Sequence, residues 1–235
     1  MMNKKKQPKT RGNILYEDEE IIVINKAAGL LSIASESEKL HTAYREITAY
    51  VRERSPRSRV FIVHRLDRDT SGVLLFAKNE KIKRALQDNW NKIVLTRGYT
   101  AITEGLFAEK SGTIRSFLFE TKTHLMYSGR SNGAGDGLEA ITKYEVSAET
   151  DKFSLLDLRL LTGRKNQIRV HMKDLGHPVI GDKKYGALQN PLGRLGLHAN
   201  LLEIEHPLTR KILHFSAPVP REFTRLFNSQ KVKEK

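Results

Sequence analysis

Apolar positions along the chain fall into short runs of two kinds. EEIIVINKAAG is continuously apolar in its middle and ends at Gly29, which predicts a short buried strand. VFIV and GVLLFAK read the same way. RGYTAITEG alternates as a strand does, and SGTIRSFLF follows a Ser-Gly turn and should pair with a neighbour. AITKYEV, FSLLDLRLL, HANLLEIEHP and KILHFSAP complete the expected strands. Helical spacing appears elsewhere. Ala43, Ile47, Tyr50 and Val51 give HTAYREITAYVRERS one apolar face. Ile82, Leu86, Trp90 and Ile93 do so for NEKIKRALQDNWNKI, a single expected helix with Asn79 as N-cap. NQIRVHMKDLG reads as a short helix stopped by Gly176, and PVPREFTRLF as a terminal helix with Pro220 in its first turn. Strands dominate, and no strand-helix-strand rhythm recurs. The pattern predicts an α+β fold, a largely antiparallel or mixed central sheet flanked by helices, over a doubly wound one.

Composition adds little to the fold and more to the partner. A chain of 235 residues permits one large domain or two lobes. No apolar run reaches the length of a membrane span, and no apolar segment follows the basic start as a secretory signal requires. Cysteine is absent, which excludes a disulfide framework and a cysteine nucleophile and fits a reducing cytoplasm. The net charge is +14. Residues 1–11 contribute five of these charges and residues 229–235 two, leaving +7 on the body. A basic body points to a polyanion, since cations that neutralise phosphates release condensed counterions. The expected organisation is a basic, disordered tail at 1–12, a folded body at 13–228 and a second tail at 229–235. Gly129–Gly137 is expected to be a mobile loop. Its glycines follow no buried strand and open no helix, so they are not a dinucleotide fingerprint.

Three polar clusters interrupt the apolar pattern. The first is HRLDRDTSG, His64 to Gly72; the second is Arg97-Gly98-Tyr99; the third runs from Thr162 to Asp182 and holds Arg164, Lys165, Arg169 and His171. Asp67 stands between Arg65 and Arg68, whose charges favour its ionised form and suit it to act as nucleophile or base. Taken alone, it reads first as a loop salt bridge. Asp69 reads as a turn acid, and Thr70-Ser71-Gly72 as the tight turn into the next strand. His64, Asp67 and Ser71 do not make a hydrolase triad, because no G-x-S-x-G elbow is present. HRLDRD is not a kinase loop, because no Gly-rich phosphate loop precedes it and no DFG follows. The eight histidines show no metal-ligand spacing. A phosphoesterase using the Asp/His cluster is a third, weaker reading.

In this order the segments resemble the RluA family of pseudouridine synthases. The resemblance runs from ILYEDEEIIVINKAAGLLS through HRLDRDTSGVLLFAKN and RGYTAITEG to LLTGRKNQIRVHMKDLGHPVIGDKKYG and LHANLLEIEHPLTRKILHFSAPVP. It implies isomerisation of uridine in rRNA or tRNA to pseudouridine. The N1–C1′ bond breaks, the uracil turns, and a C5–C1′ bond forms. No cofactor, metal or ATP is implied, and the chain is expected to act on RNA as a monomer away from membranes. Asp67 corresponds to the catalytic aspartate, which attacks the ribose or assists loss of uracil through a glycal; both routes stay open. Tyr99 corresponds to the tyrosine that packs on the base and helps remove the C5 proton. Arg169 corresponds to the basic residue paired with the aspartate. Arg65 corresponds to an arginine that helps displace the target base, an extrusion the chemistry requires. His64, Arg164 and Asn166 are expected to contact substrate. At Asn166 many relatives have histidine; Asn keeps hydrogen bonding but carries no proton. No S4-like RNA-binding domain precedes ILYEDEE, so the catalytic body and its basic surface are expected to supply RNA affinity. The alternative is a non-catalytic RNA-binding or ribosome-assembly factor on the same fold.

Overall fold

The computed structural model describes residues 13–35, 38–130 and 137–228. Residues 131–136 of the glycine-rich segment, and both basic tails, lie outside them. The chain divides into two compact units, one formed by residues up to Leu95 with Glu203–Ala217, the other by Thr96–Leu202 with the residues from Pro218 onward.

In the first unit, β1 (Ile14–Glu17) pairs antiparallel with β2 (Ile21–Lys26), and β2 with β4 (Ser71–Ala77) in the register Ile21↔Ala77 to Lys26↔Gly72. Every residue of β4 is buried, which is why GVLLFA shows no alternation. A two-residue strand β3 (Phe61–Ile62) also joins β4. Helix α1 (Ala43–Arg54) buries the expected face of Ala43, Ile47, Tyr50 and Val51, and Thr42 caps it by accepting the Arg45 amide. Helix α2 (Glu80–Asp88) is capped by Asn79 as the sequence predicts, the side chain accepting the Ile82 amide.

The single helix expected from Glu80 to Ile93 is broken. A short helix, α3 (Trp90–Ile93), follows α2 after Asn89, whose backbone (φ −113°, ψ 19°) leaves the helical region. The Asn89 side chain donates back to the Ala85 carbonyl and satisfies the end of α2. Trp90 is thereby turned onto the His64 ring, with centroids 4.9 Å apart. Apolar spacing alone does not reveal such a break.

In the second unit, β5 (Val94–Glu104), β6 (Ser111–Glu120), β7 (Met126–Gly129), β8 (Leu138–Glu149) and β9 (Phe153–Leu160) form antiparallel neighbours in the order β5-β9-β8-β6-β7. The strand β7 was not expected from the sequence. Helix α4 (Gln167–Asp174) buries Ile168 and Met172 against Ala101, Leu156 and Leu158, while its Val170 meets Leu118, Met126, Ala140 and Tyr185. It ends where Gly176 takes φ +82°, a conformation that costs glycine nothing. Here α5 (Arg221–Asn228) packs Phe223 against Ile102, Phe153 and Ile180, while β10 (Leu197–Glu205) runs on into the first unit's residues, where β11 (Ile212–Ser216) pairs with it. The architecture is α+β.

Between α4 and the sheet lies a fully buried imidazole. His171 meets Thr142 Oγ1 through Nδ1 at 2.8 Å and Ser116 Oγ through Nε2 at 3.0 Å. Thr142 Oγ1 also accepts from Gln167 Nε2, and its remaining hydrogen-bonding capacity is shared with Nδ1. Burial pushes the His171 pKa down from 6.5 to about 4, against a small opposing effect of Asp174. The unfolded chain therefore takes up a proton near pH 6.5, and the folded chain only near pH 4. Stability is expected to fall by on the order of 3 kcal/mol as pH drops across that window, then to level off for this group. Urea unfolding at stepped pH checks this. His171→Gln should flatten the slope between those two values, and a slope unchanged by the substitution would refute the assignment.

Candidate active site

The signature segment leaves β3 and reaches β4 through a turn. The Thr70 amide donates to the Asp67 carbonyl, so Arg68 and Asp69 occupy the turn, while Ser71 and Gly72 already belong to β4. The expectation that Thr70-Ser71-Gly72 form the turn is corrected accordingly. Strand pairing of Gly72 with Lys26 takes them into the sheet.

Three braces hold this segment, and all engage the backbone. The Ser32 hydroxyl donates to the Leu66 carbonyl at 2.8 Å and accepts the Leu66 amide at 3.0 Å. Lys26, only 1% exposed, donates its ammonium protons to the carbonyls of Ala27, Leu30 and Arg68 at 3.0, 2.7 and 3.0 Å. His64 Nε2 accepts the Leu75 amide at 3.1 Å. Asp67 is thus flanked on both sides by fixed carbonyls, with its own side chain partly buried and Arg65 exposed beside it. The buried lysine is a positioning residue that the sequence reading passed over, although the polar end of an otherwise apolar strand, INK, marked it. Lys26→Met keeps the aliphatic stem and removes the donors. It is expected to cost about 2 kcal/mol and to speed amide exchange at Leu66 and Thr70. Exchange rates equal to wild type would show that the loop is held without it.

The second unit carries Tyr99, Arg164, Asn166 and Arg169. Tyr99 lies on β5 opposite Leu158 of β9 and is half-buried against the cluster that includes Ile168 of α4. The loop before α4 is locked by Gln167. Its Oε1 accepts from the Thr162 hydroxyl at 2.8 Å and the Arg164 amide at 3.0 Å, while its Nε2 donates to the Ile141 carbonyl and to Thr142 Oγ1. Thr162 Oγ1 in turn accepts the Ile141 amide. Asn166 sits at φ +53°, a left-handed conformation that Asn tolerates better than most residues. It is buried, and its Oδ1 accepts from the Tyr185 hydroxyl at 3.1 Å.

Arg169 points its guanidinium fork at a carboxylate that the sequence reading did not assign. Nε and Nη2 donate to the two oxygens of Asp182 at 2.6 and 2.7 Å, and the plane lies 4.9 Å from the Tyr185 ring centroid. Such two-pronged pairs fix orientation as well as charge. Arg97 was also missed as a site residue. Two positions before Tyr99, it shares that residue's face of β5. Its Nη2 donates to the Leu161 carbonyl at 2.9 Å. Burial lowers its pKa, the Tyr99 hydroxyl opposes that, and the charge of Arg164 lowers it further.

Of the expected site residues, the first unit therefore holds His64, Arg65 and Asp67 on one braced loop, and the second holds Tyr99 on a strand with Arg164, Asn166 and Arg169 around the start of α4. The sequence pattern of the RNA pseudouridylate synthases matches residues 20–174, which take in all seven. The uncharacterized RNA pseudouridine synthase YhcT of Bacillus subtilis is 38% identical over 216 residues, 91% of this chain and 70% of that protein. The tRNA pseudouridine synthase C of Haemophilus ducreyi is 36% identical across 92% of this chain and 94% of its own. The ribosomal large subunit pseudouridine synthase D of Haemophilus influenzae is 33% identical across 93% and 71%. Among solved structures, human RNA pseudouridylate synthase domain containing 1 superposes with a TM-score of 0.73 at 25% identity, covering 95% of each chain. The chain belongs to the RNA pseudouridylate synthase family.

Proposed function

We propose that this protein converts a uridine of rRNA or tRNA to pseudouridine in the cytoplasm, acting as a monomer, with Asp67 as the essential carboxylate. The observation that carries the reading is the family match over residues 20–174, within which the aspartate, tyrosine and arginine of the signature segments are all intact. Relatives named for tRNA and for large-subunit rRNA support RNA of either kind as substrate. The net charge of +14 suits a phosphate-rich partner.

The reaction rearranges one nucleotide without adding or removing an atom. Cleavage of N1–C1′ leaves the uracil with the bonding electrons, and formation of C5–C1′ consumes them. The C5 proton is then lost while N1 regains one. Asp67 serves the sugar, either by attacking C1′ or by assisting the glycal route. Tyr99 serves the base at C5, and Arg169 serves as the positive charge that keeps the carboxylate ionised. Arg65, exposed on the loop, is suited to fill the space of the extruded base. Arg164 is a phosphate contact. His64 and Asn166, whose ring nitrogen and amide oxygen already accept hydrogen bonds within the protein, support the site.

Loss of the C5 proton provides the assay. RNA labelled with tritium at uracil C5, drawn separately from rRNA and tRNA pools lacking this modification, should release tritium to water with wild-type protein. No release from either pool would sink the proposal.

A further inference from the structure

Several exposed arginines among the described residues have a carboxylate close by. Arg54 pairs with Glu17, Arg84 with Glu80, Arg115 with Glu139 and Arg210 with Glu205. Arg97 and Arg164 differ. Neither forms an ion pair with any described carboxylate, and each gives its side-chain hydrogen bond to a backbone carbonyl, Arg97 to Leu161 and Arg164 to Glu139 at 3.0 Å. The two like charges lie close enough to act on one another. A guanidinium carries five N–H donors, so most of the donors of this pair are unused by the protein.

The seat is built. Gly163 stands against the Arg97 guanidinium so closely that a Cβ there would fall 2.5 Å from Nη1. A side chain at 163 would push the arginine away. The loop carrying Gly163 and Arg164 is itself locked to β8 through Thr162 and Gln167. Two partly desolvated cations held side by side without an anion repel each other, and an anion between them removes that cost. The opposite face of the same strands is different in kind. There an open concavity of about 500 Å³ carries Lys143 and Arg159 beside Glu145 and Asp157, a balanced set with no net charge to offer.

We propose that Arg97 and Arg164 together seat a phosphate of the bound RNA strand, on the face of β5 that carries Tyr99. The inference rests on the synthase reading for the identity of its ligand. A planar guanidinium pair suits a phosphodiester, whose two unesterified oxygens accept parallel N–H bonds. Its service to the reaction is placement: fixing the strand at Tyr99 fixes the nucleotide that is turned out.

The test is equilibrium binding of an oligouridylate to the full chain over a salt series, with inorganic phosphate as competitor. Arg97→Gln is expected to weaken binding about tenfold and to reduce the slope of log K against log salt by roughly 0.7, the contribution of one phosphate contact on a single strand. Arg97→Lys should restore the slope. Gly163→Ala keeps every charge and displaces the guanidinium, so it should weaken binding at each salt concentration. Arg97→Gln with wild-type affinity and slope would overturn the seat. So would equal sensitivity of wild type and Arg97→Gln to inorganic phosphate combined with equal RNA affinity, which would mark a free-anion contact elsewhere. Tritium release is measured on the same preparations. Its absence in the wild type counts against the synthase reading, while the binding slopes decide the seat on their own.

Discussion

Asp67→Asn is expected to lower tritium release from C5-labelled RNA by about 10⁴-fold or more, the scale on which removal of an attacking or proton-handling carboxylate acts. The same variant should still reach the folded state. Its loop is held through the backbone at Leu66 and Arg68, by Ser32 and Lys26, and through His64, none of which depends on the Asp67 side chain. Asparagine keeps the volume and one acceptor and removes the charge, so a lost activity with an unchanged melting temperature isolates the carboxylate. RNA affinity is expected to persist, because the substitution leaves the basic residues proposed to neutralise phosphates unchanged. Retained turnover within tenfold of wild type would move the chemistry off Asp67. Full rescue of a deletion phenotype by the inactive variant would show that the cellular role is RNA binding.

The physics that made some elements legible also explains those that were not. Helix α1 and the caps at Asn79 and Gly176 are local matters, decided by apolar spacing and by one residue's ability to bond or bend the backbone, and the sequence displays them directly. The break at Asn89 is local too, but it needs a tertiary reason, the turning of Trp90 onto His64, that spacing does not carry. Strand β7 is short, and its pairing with β6 decides it, from Phe117↔Gly129 to Glu120↔Met126. The site shows the same division. Asp67, Tyr99 and Arg169 were chosen from the chain by resemblance, since composition around Asp67 alone favoured a salt bridge. The residues that hold them were not. Lys26 is a single charge inside an apolar strand, and its meaning depends on carbonyls one of which lies 42 positions away. Arg97 becomes distinctive only through what surrounds it: a glycine that makes room, an arginine beside it, and no acid.

Asp182 is the strongest instance, and it carries the second large effect. Its carboxylate is 1% exposed and faces a guanidinium that is 13% exposed, through two short bonds. Both charges were taken out of water in folding, so removing the carboxylate charge takes from the guanidinium its two-pronged partner. Asp182→Asn is expected to destabilise the protein by about 4 kcal/mol, lowering the melting temperature by roughly 8–16 °C for a chain of this length. None of the loss comes from the turn, where the Asp182 carbonyl accepts the Tyr185 and Ala187 amides, because the substitution spares the backbone. Activity should fall further than the folded fraction accounts for, because Arg169 loses the fork that orients it. The double variant Arg169→Met, Asp182→Leu separates the two consequences. With neither charge present, stability should return toward wild type, since replacing a buried pair by apolar groups is often neutral or better. Turnover should not return, because the arginine itself is gone. A single variant that melts within about 2 °C of wild type would mean that this pair carries little of the fold's stability. A double variant that recovered turnover with its stability would mean that Arg169 serves the fold and not the reaction.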